Sequence, residues 1–395
     1  MAYLITSRNV VWPFLLVQII LLCGCKKSLD DDYQDITIPL YCIENDLTHS
    51  YLSEADYDNE DYTYTFMNKY HGSAVDYRKD CPNPIHVTWS PLSENSGELE
   101  LLVKDNQNTL IRYAIPSGES SFDLFNLIPG KEYELILSVK GSQDNVVDVF
   151  PKRFKTTGKV RMLFVDGLNV GNIRDIGGWR TKEGREIVYG RLYRGGELLY
   201  SYPGYTQIVI SEKGINTIVN ELKIDVEIDF GDVSNSSPIA ESGVDFIHGD
   251  DYQIASYVKG LSDKANRSKY ANCLKIISEC IAEGKVVYFH CNGGADRTGT
   301  LALIIEALLG VSEQDIARDY ELTCFSVLGN IRYRNQDSYR QLVDYIKSHF
   351  TGNDFNEMVY KMCVSPVDKD GLGLDINQIM SLRTILTEDK IISNL

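Results

Sequence analysis

Val286-Val287-Tyr288-Phe289-His290-Cys291-Asn292-Gly293-Gly294-Ala295-Asp296-Arg297-Thr298-Gly299-Thr300 is the stretch on which the fold turns. Its first four residues are wholly apolar, the pattern of a central strand buried on both faces of a parallel sheet. A loop with two glycines follows. Leu301-Ala302-Leu303-Ile304-Ile305-Glu306-Ala307-Leu308-Leu309 then reads as a buried helix stopped by Gly310. Strand, glycine loop and helix in that order aim backbone N–H groups and a helix N-terminus at an anion. The loop has no Gly-Lys-Ser/Thr and is too short for a nucleotide P-loop. It carries instead a Cys and an Arg with five residues between them.

That pair suits attack on a phosphate ester. A thiolate is a strong nucleophile, and the loop amides and helix dipole favour the ionised form of Cys291. Arg297 can hold two phosphate oxygens at once and follow them into the transition state. Gly293 and Gly294 let the backbone curl around the oxygens, with Asn292 and Ala295 completing the cradle. His290 is expected to fix the loop through backbone near Cys291, and Thr298 to donate its hydroxyl to the departing sulfur. No cofactor is needed. No Cys-x-x-Cys or His-rich spacing suggests a metal.

The string His-Cys-x-x-Gly-x-x-Arg-Thr-Gly, set between a strand and a helix, resembles the signature loop of the protein tyrosine phosphatase superfamily. Asn172-Ile173-Arg174-Asp175-Ile176-Gly177-Gly178-Trp179, followed by Gly190-Arg191-Leu192-Tyr193-Arg194-Gly195-Gly196, narrows the likeness. It is similar to the opening of bacterial tyrosine phosphatases that also accept phosphoinositides. Leu309-Gly310-Val311-Ser312 and Asp319-Tyr320 extend the resemblance from about residue 165 to the C-terminus. It implies an α/β phosphatase fold over residues 159–395, a central mostly parallel sheet flanked by helices. It also implies a phosphocysteine on Cys291 and phosphate bound by Arg297. Arg174, Asp175 and Arg194 read equally as substrate contacts or, for the first two, as a salt-bridged turn behind the loop.

Two departures matter. Those relatives carry Gly-Lys-Asp-Arg where this chain has Gly294-Ala295-Asp296-Arg297, so a positive charge suited to inositol phosphates is missing. Asp229-Phe230-Gly231 stands where Asp-Leu-Arg is usual. The leaving group needs a proton donor. Asp296, within the loop, is favoured over Asp251, which falls where dual-specificity phosphatases place a mobile-loop Asp. Asp229 is a third choice with a structural role, and His248 reads as a loop-surface residue. Tyr320, Tyr333, Tyr339 and Tyr345 read as packing and rim residues, and Arg332 and Arg334 as candidates for a second phosphate.

Upstream, the pattern changes between residues 81 and 158 to short alternating strands. Ile85-His86-Val87-Thr88-Trp89 puts Val87 and Trp89 on one face. Leu99-Glu100-Leu101-Leu102-Val103 and residues 109–115 flank a hairpin-like turn at Asp105-Asn106-Gln107-Asn108. Phe125-Asn126-Leu127-Ile128-Pro129-Gly130-Lys131-Glu132-Tyr133 resembles the corner of a fibronectin type III β-sandwich, with Phe154-Lys155-Thr156-Thr157 as its last strand. The fold class is therefore multidomain: a β-sandwich followed by the α/β phosphatase unit.

The apolar run at residues 10–22, behind Arg8, falls short of the roughly 20 residues that cross a bilayer. It reads as an export signal over residues 1–24. Leu22-Cys23-Gly24-Cys25 resembles a lipobox, which implies lipidation of Cys25. Lys26-Lys27-Ser28-Leu29-Asp30-Asp31-Asp32 resembles the tether that sends some Bacteroidetes lipoproteins to the cell surface. An outer-membrane or cell-surface protein, held to the membrane only by its lipid, is expected. Residues 25–80, rich in acidic residues and Tyr, read as tether and solvated lead-in. Cys42 and Cys81 could pair in an oxidising compartment.

The chain has 395 residues with 39 Lys+Arg against 56 Asp+Glu, a formal charge of −17. That excess argues against nucleic acid or an anionic membrane surface as partner. Phosphate must be recognised by a local pocket. The expected substrate is a phosphotyrosine protein or a small phosphomonoester. The alternatives are an inositol-polyphosphate (phytase-like) phosphatase, or an adhesin whose phosphatase unit is inert.

Overall fold

The computed structural model describes residues 38–54, 62–71, 80–92, 98–107, 109–140, 146–201, 206–231, 236–327 and 331–387. The export signal, Cys25 and the charged tether lie outside the described residues, as does most of the acidic run after Glu54. Among the described residues no helix is long and apolar enough to cross a membrane.

The chain opens with a short strand, β1 (Leu40–Cys42), and two short helices, α1 (Asp46–Leu52) and α2 (Tyr64–Asn68). Then come β2 (Ile85–Trp89), β3 (Leu99–Asp105), β4 (Leu110–Ile115), β5 (Ser121–Leu124), β6 (Glu132–Val139), β7 (Val146–Val147), β8 (Val149–Phe150) and β9 (Arg153–Thr157). Alternation decides which side each strand buries. Ile85, Val87 and Trp89 of β2 face Leu99, Leu101 and Val103 of β3 and Tyr133, Leu135 and Leu137 of β6 in one apolar core. The strands form two sheets over that core, β5-β2-β8 and β1-β9-β6-β3-β4, with β7 also paired to β6. Asp105 closes the β3–β4 turn, its Oδ1 accepting from the N–H groups of Gln107 (2.9 Å) and Thr109 (2.7 Å).

The described parts of the segment read as a solvated lead-in, residues 38–54, 62–71 and 80, are built into the fold. β1 adds to β9 in parallel, and Tyr51, Tyr62, Met67 and Tyr70 are buried in the same core as the helices of the C-terminal half. Composition misled here because tyrosine hides a large apolar ring behind a polar tip. Tyr51, fully buried, donates to Glu321 Oε2 at 2.7 Å. Cys42 and Cys81 are not joined in a disulfide.

The second half carries β10 (Gly167–Leu168), β11 (Arg174–Asp175), β12 (Leu192–Gly195), β13 (Leu199–Tyr200), β14 (Ile208–Ile210), β15 (Val226–Asp229), β16 (Asp245–Ile247) and β17 (Val287–His290). The main sheet runs β11-β12-β17-β15-β16, with β12, β17, β15 and β16 parallel and β11 antiparallel at the edge. β10, β14 and β13 make a small separate sheet. The helices are α3 (Glu212–Asn216), α4 (Tyr257–Ser262), α5 (Lys264–Ala282), α6 (Arg297–Leu309), α7 (Glu313–Glu321), α8 (Asp337–His349), α9 (Phe355–Val364) and α10 (Ile376–Thr387). β17 is central and buried along its whole length, as its apolar run requires. Val287 and Phe289 join the core beneath α5 and α6, while Tyr288 joins a second core on the other face. α6 is buried from Thr298 to Leu309 and ends at Gly310, which takes φ +94.

The two sheets of the first half meet the second half through polar contacts. Arg161 donates to Asp175 Oδ2 and to the Tyr193 hydroxyl, each at 3.0 Å, and from Nε to the Asn126 carbonyl at 3.0 Å. Asn126 answers with its side chain, donating to Phe164 O and accepting from Phe164 N, both at 2.8 Å. Tyr113 donates to Glu221 Oε2 at 3.1 Å.

Candidate active site

Cys291 stands immediately past β17 and is 3% exposed. The next residues turn sharply, the Gly294 N–H reaching back to the Cys291 carbonyl at 3.3 Å. Gly294 adopts φ +65, and a Cβ there would lie 2.5 Å from the carbonyl carbon and oxygen of Gly195. Only glycine fits so close a crossing of two backbones. α6 then begins at Arg297, with the Gly299 and Thr300 N–H groups bonded back to Ala295 and Asp296 carbonyls.

Arg297 is aimed by its neighbours. Nη1 donates to the Phe230 carbonyl at 2.7 Å and Nη2 to Asn292 Oδ1 at 3.1 Å. The loop is thus closed on itself by the side chain that would bind phosphate. Ala295 is buried and contributes no charge.

Arg174 and Arg194 lie behind the loop, both fully buried. They share one carboxylate: Arg174 Nε donates to Asp319 Oδ1 at 2.8 Å and Arg194 Nη1 to Oδ2 at 2.5 Å. Arg194 also donates from Nη2 to the Gly294 carbonyl at 3.0 Å. Burial pushes the Asp319 carboxyl up, but the two guanidiniums outweigh it and hold it below the usual carboxylate range. Glu306, on α6, is pushed well up by burial and by the Asp319 charge. The two guanidiniums bring positive charge under the loop, where it favours a bound phosphate.

Asp175 does not face the loop opening either. It is tied to Arg161 and accepts from the N–H groups of Gly177 (2.9 Å) and Gly190 (2.8 Å). Arg174 and Asp175 are each in an ion pair, with Asp319 and Arg161 respectively. Asn172, two residues before, touches the loop: its Nδ2 donates to the Gly293 carbonyl at 2.9 Å and its Oδ1 accepts from Arg174 Nη1 at 2.6 Å. Its own N–H is held by Asp80 Oδ2 at 2.8 Å. Asn172, Asp80 and Asp319 as loop supports were not singled out by sequence, although Asn172 and Asp319 sit in the two stretches that carry the resemblance.

Asp296 is 40% exposed in its side chain and is gripped by Arg332, while its Oδ1 also accepts from the Tyr257 hydroxyl at 2.5 Å. Burial raises its carboxyl, but Arg332, Tyr257 and Arg297 together bring it below the ordinary value. Tyr257 holds a left-handed φ of +55, secured by its N–H to Thr300 Oγ1 at 2.9 Å. Asp251 is exposed in the turn after β16 and, among the described residues, makes no hydrogen bond or ion pair. Arg334 pairs with Glu321 Oε2 at 3.0 Å, and Tyr320 and Tyr339 are buried and stacked.

His290 departs from expectation. Its side chain points away from the loop, and Nε2 lies 2.9 Å from Glu227 Oε1, a carboxylate rather than backbone near Cys291. Burial lowers it, but Glu197, Glu227 and Asp229 more than compensate and push it up to about 10. His248 is 14% exposed in its side chain and packs 3.4 Å from Asp229 rather than lying on the surface. The Thr298 hydroxyl is buried and makes no hydrogen bond.

Comparison with known proteins adds sequence likeness over the same region. A curated protein of Cupriavidus necator, named as a tyrosine-protein phosphatase, is 27% identical over 175 residues, covering 38% of this chain and 59% of that relative. The chain therefore spans about three-fifths of the length of that relative. Among solved structures, P. aeruginosa TpbA matches at 14% identity and a TM-score of 0.28, over 44% of this chain and 89% of that one. The core catalytic domain of the PP-IP phosphatase SIW14 from S. cerevisiae, solved with citrate, matches at 17% identity and a TM-score of 0.27, over 40% of this chain and 84% of that one. Residues 166–350, which contain the whole Cys291–Arg297 loop, match the tyrosine phosphatase family model.

Proposed function

We propose that this protein hydrolyses phosphomonoesters through a phosphocysteine. The observation that carries the reading is the pairing of Cys291 at the end of β17 with an Arg297 already aligned by Phe230 O and Asn292 Oδ1. The Cys291 thiolate attacks phosphorus, the ester P–O bond breaks, and Asp296 gives its proton to the leaving oxygen. Water then attacks the phosphocysteine, its proton passing to Asp296, and phosphate departs as the thiolate is restored. Arg297 and the loop amides hold the equatorial oxygens through both steps.

Phosphotyrosine-like and small monoesters fit this site better than an inositol polyphosphate. Arg332 and Arg334 are both tied to carboxylates, and Ala295 is neutral. Relative turnover of phytate and a phosphotyrosine peptide tests that preference. The likeness of residues 81–158 to fibronectin type III is supported by Tyr133, whose hydroxyl accepts from the Ile128 N–H at 3.0 Å across the corner. Such a module serves as a spacer or adhesive surface on a protein anchored to the cell envelope through Cys25.

The catalytic reading is tested with Cys291→Ser. Phosphate release from an aryl phosphate should vanish, and acid-quenched wild type should carry one phosphate on Cys291 by mass spectrometry. Unchanged release in the variant would sink the mechanism and favour an adhesin.

A further inference from the structure

On the face of the main sheet opposite Cys291, a second group of ionisable residues serves no step of the hydrolysis. Alternation along β17 puts Tyr288 and His290 together, their rings stacked at 5.0 Å. On β15, Glu227 is in register with Tyr288 and Asp229 with His290. Glu197 lies just past Gly195 of β12, which is in register with His290 on the other side. Three adjacent strand ends therefore bring three carboxylates to one imidazole. Glu197 is 3% exposed, Glu227 1%, and Asp229 and His290 are fully buried.

The three side chains and the imidazole lie within reach of one another. His290 Nε2 is 2.9 Å from Glu227 Oε1, and Nδ1 is 3.9 Å from Glu197 Oε2 and 3.7 Å from Asp229 Oδ1. One donor atom each from Glu197, Glu227 and His290 lies within 4.8 Å of the other two. Two carboxylates are pinned by one oxygen only. Glu197 Oε1 accepts from the Leu198 and Leu199 N–H groups, and Asp229 Oδ1 from Gly231 N–H. Glu227 Oε2, Asp229 Oδ2 and His290 Nδ1 are buried and have no hydrogen-bond partner. Such atoms are costly to leave unpaired inside a protein.

Charge makes the same point. Among the described residues, the ion-pair partners of these carboxylates are His290 and, for Asp229, His248. Among the described residues no lysine or arginine pairs with any of the three. We infer that Glu197, Glu227 and His290 bind a divalent transition-metal ion of the zinc or manganese kind. Asp229 stands beside them, its Oδ1 3.7 Å from His290 Nδ1. An imidazole nitrogen with carboxylate oxygens suits such ions, and binding draws the three donor atoms, now within 4.8 Å of one another, in to ligand distances of about 2.0–2.2 Å. The ion clamps the ends of β12, β15 and β17 directly behind the catalytic loop. It does not face Cys291, so its role is positional.

The test uses the full chain with Cys291→Ser, which removes the reactive thiolate as a competing ligand. The chelator-stripped protein is dialysed against zinc alone or manganese alone, and bound metal is counted by mass spectrometry. Melting temperature is read in parallel. Because Cys42, Glu44 and His49 also lie close together, the readout is the difference between variants. Glu227→Gln and Glu197→Gln should each lose one equivalent and the metal-dependent rise in melting temperature. Equal stoichiometry and equal thermal shift in the parent and Glu197→Gln, or no metal in the parent, would overturn the site. If Glu227→Gln fails to fold, Glu197→Gln decides, since glutamine Oε1 still accepts from Leu198 and Leu199. The readout does not use hydrolysis and stands apart from the catalytic reading.

Discussion

The guanidinium of Arg332 closes on the carboxylate of Asp296, Nε donating to Oδ1 at 2.8 Å and Nη2 to Oδ2 at 3.1 Å. A proton donor must be protonated when the leaving group departs, yet this ion pair favours the ionised form. Asp296 as donor therefore predicts activity that declines early as pH rises. Arg332→Gln should move the alkaline limb of the kcat/KM profile to higher pH. Asp296→Asn should lower turnover of an alkyl phosphate about 100-fold or more, and that of an activated aryl phosphate far less. A profile insensitive to both changes but altered by Asp251→Asn would transfer the role to Asp251.

Gly294 tests whether the cradle has room for anything but glycine. Its φ of +65 and the 2.5 Å approach to Gly195 oppose a Cβ. Gly294→Ala should cut kcat/KM by about 100-fold, because a loop displaced by 1 Å loses its phosphate geometry. Circular dichroism and gel filtration should remain those of wild type. Activity within a few-fold of wild type would show that the loop tolerates the displacement.

Asp80 links pH to stability through the loop. It is buried and accepts from the Asn172 N–H, and burial pushes its carboxyl up to about 6 despite those backbone bonds. A carboxyl raised on folding stabilises most below its unfolded value near 4 and loses that contribution as pH climbs through about 6. Asp80→Asn keeps an acceptor for Asn172 without the charge. Relative to wild type it should gain on the order of 2 kcal/mol in going from pH 4 to pH 7. Urea midpoints at the two pH values measure the difference, and a constant gap would refute the assignment.

What the sequence disclosed follows from how tightly each requirement is packed along the chain. Strand, loop and helix from Val286 to Leu309 are contiguous, so chemistry and fold can be read together. Arg174, Arg194 and Asp319 are separated by 20 and 125 residues, and only folding shows that the two arginines meet one carboxylate behind the loop. His290 looked like part of the loop because it precedes Cys291. Strand alternation turns it to the other face, toward glutamates on other strands. β1 is three residues long, too short for a period, and its place beside β9 is set by pairing.

Arg161 provides the sharpest measure of how the N-terminal sheets and the Cys291 half depend on each other. Its side chain, 7% exposed, joins Asp175 and Tyr193 of one to the Asn126 carbonyl of the other. Removing one partner of a buried ion pair leaves the other charge uncompensated and costs about 3 to 5 kcal/mol. Arg161→Met should lower stability by about that much, whereas Tyr113→Phe, which loses one hydrogen bond, should cost about 1 kcal/mol. Trp89 lies in the sandwich core and Trp179 in the catalytic core, so each can report its own half. With Trp12→Phe and either Trp179→Phe or Trp89→Phe isolating the remaining signal, unfolding of the otherwise wild-type chain should give one shared midpoint. In Arg161→Met the two midpoints should separate. Coincident midpoints with unchanged stability would show that Arg161 does not couple the halves.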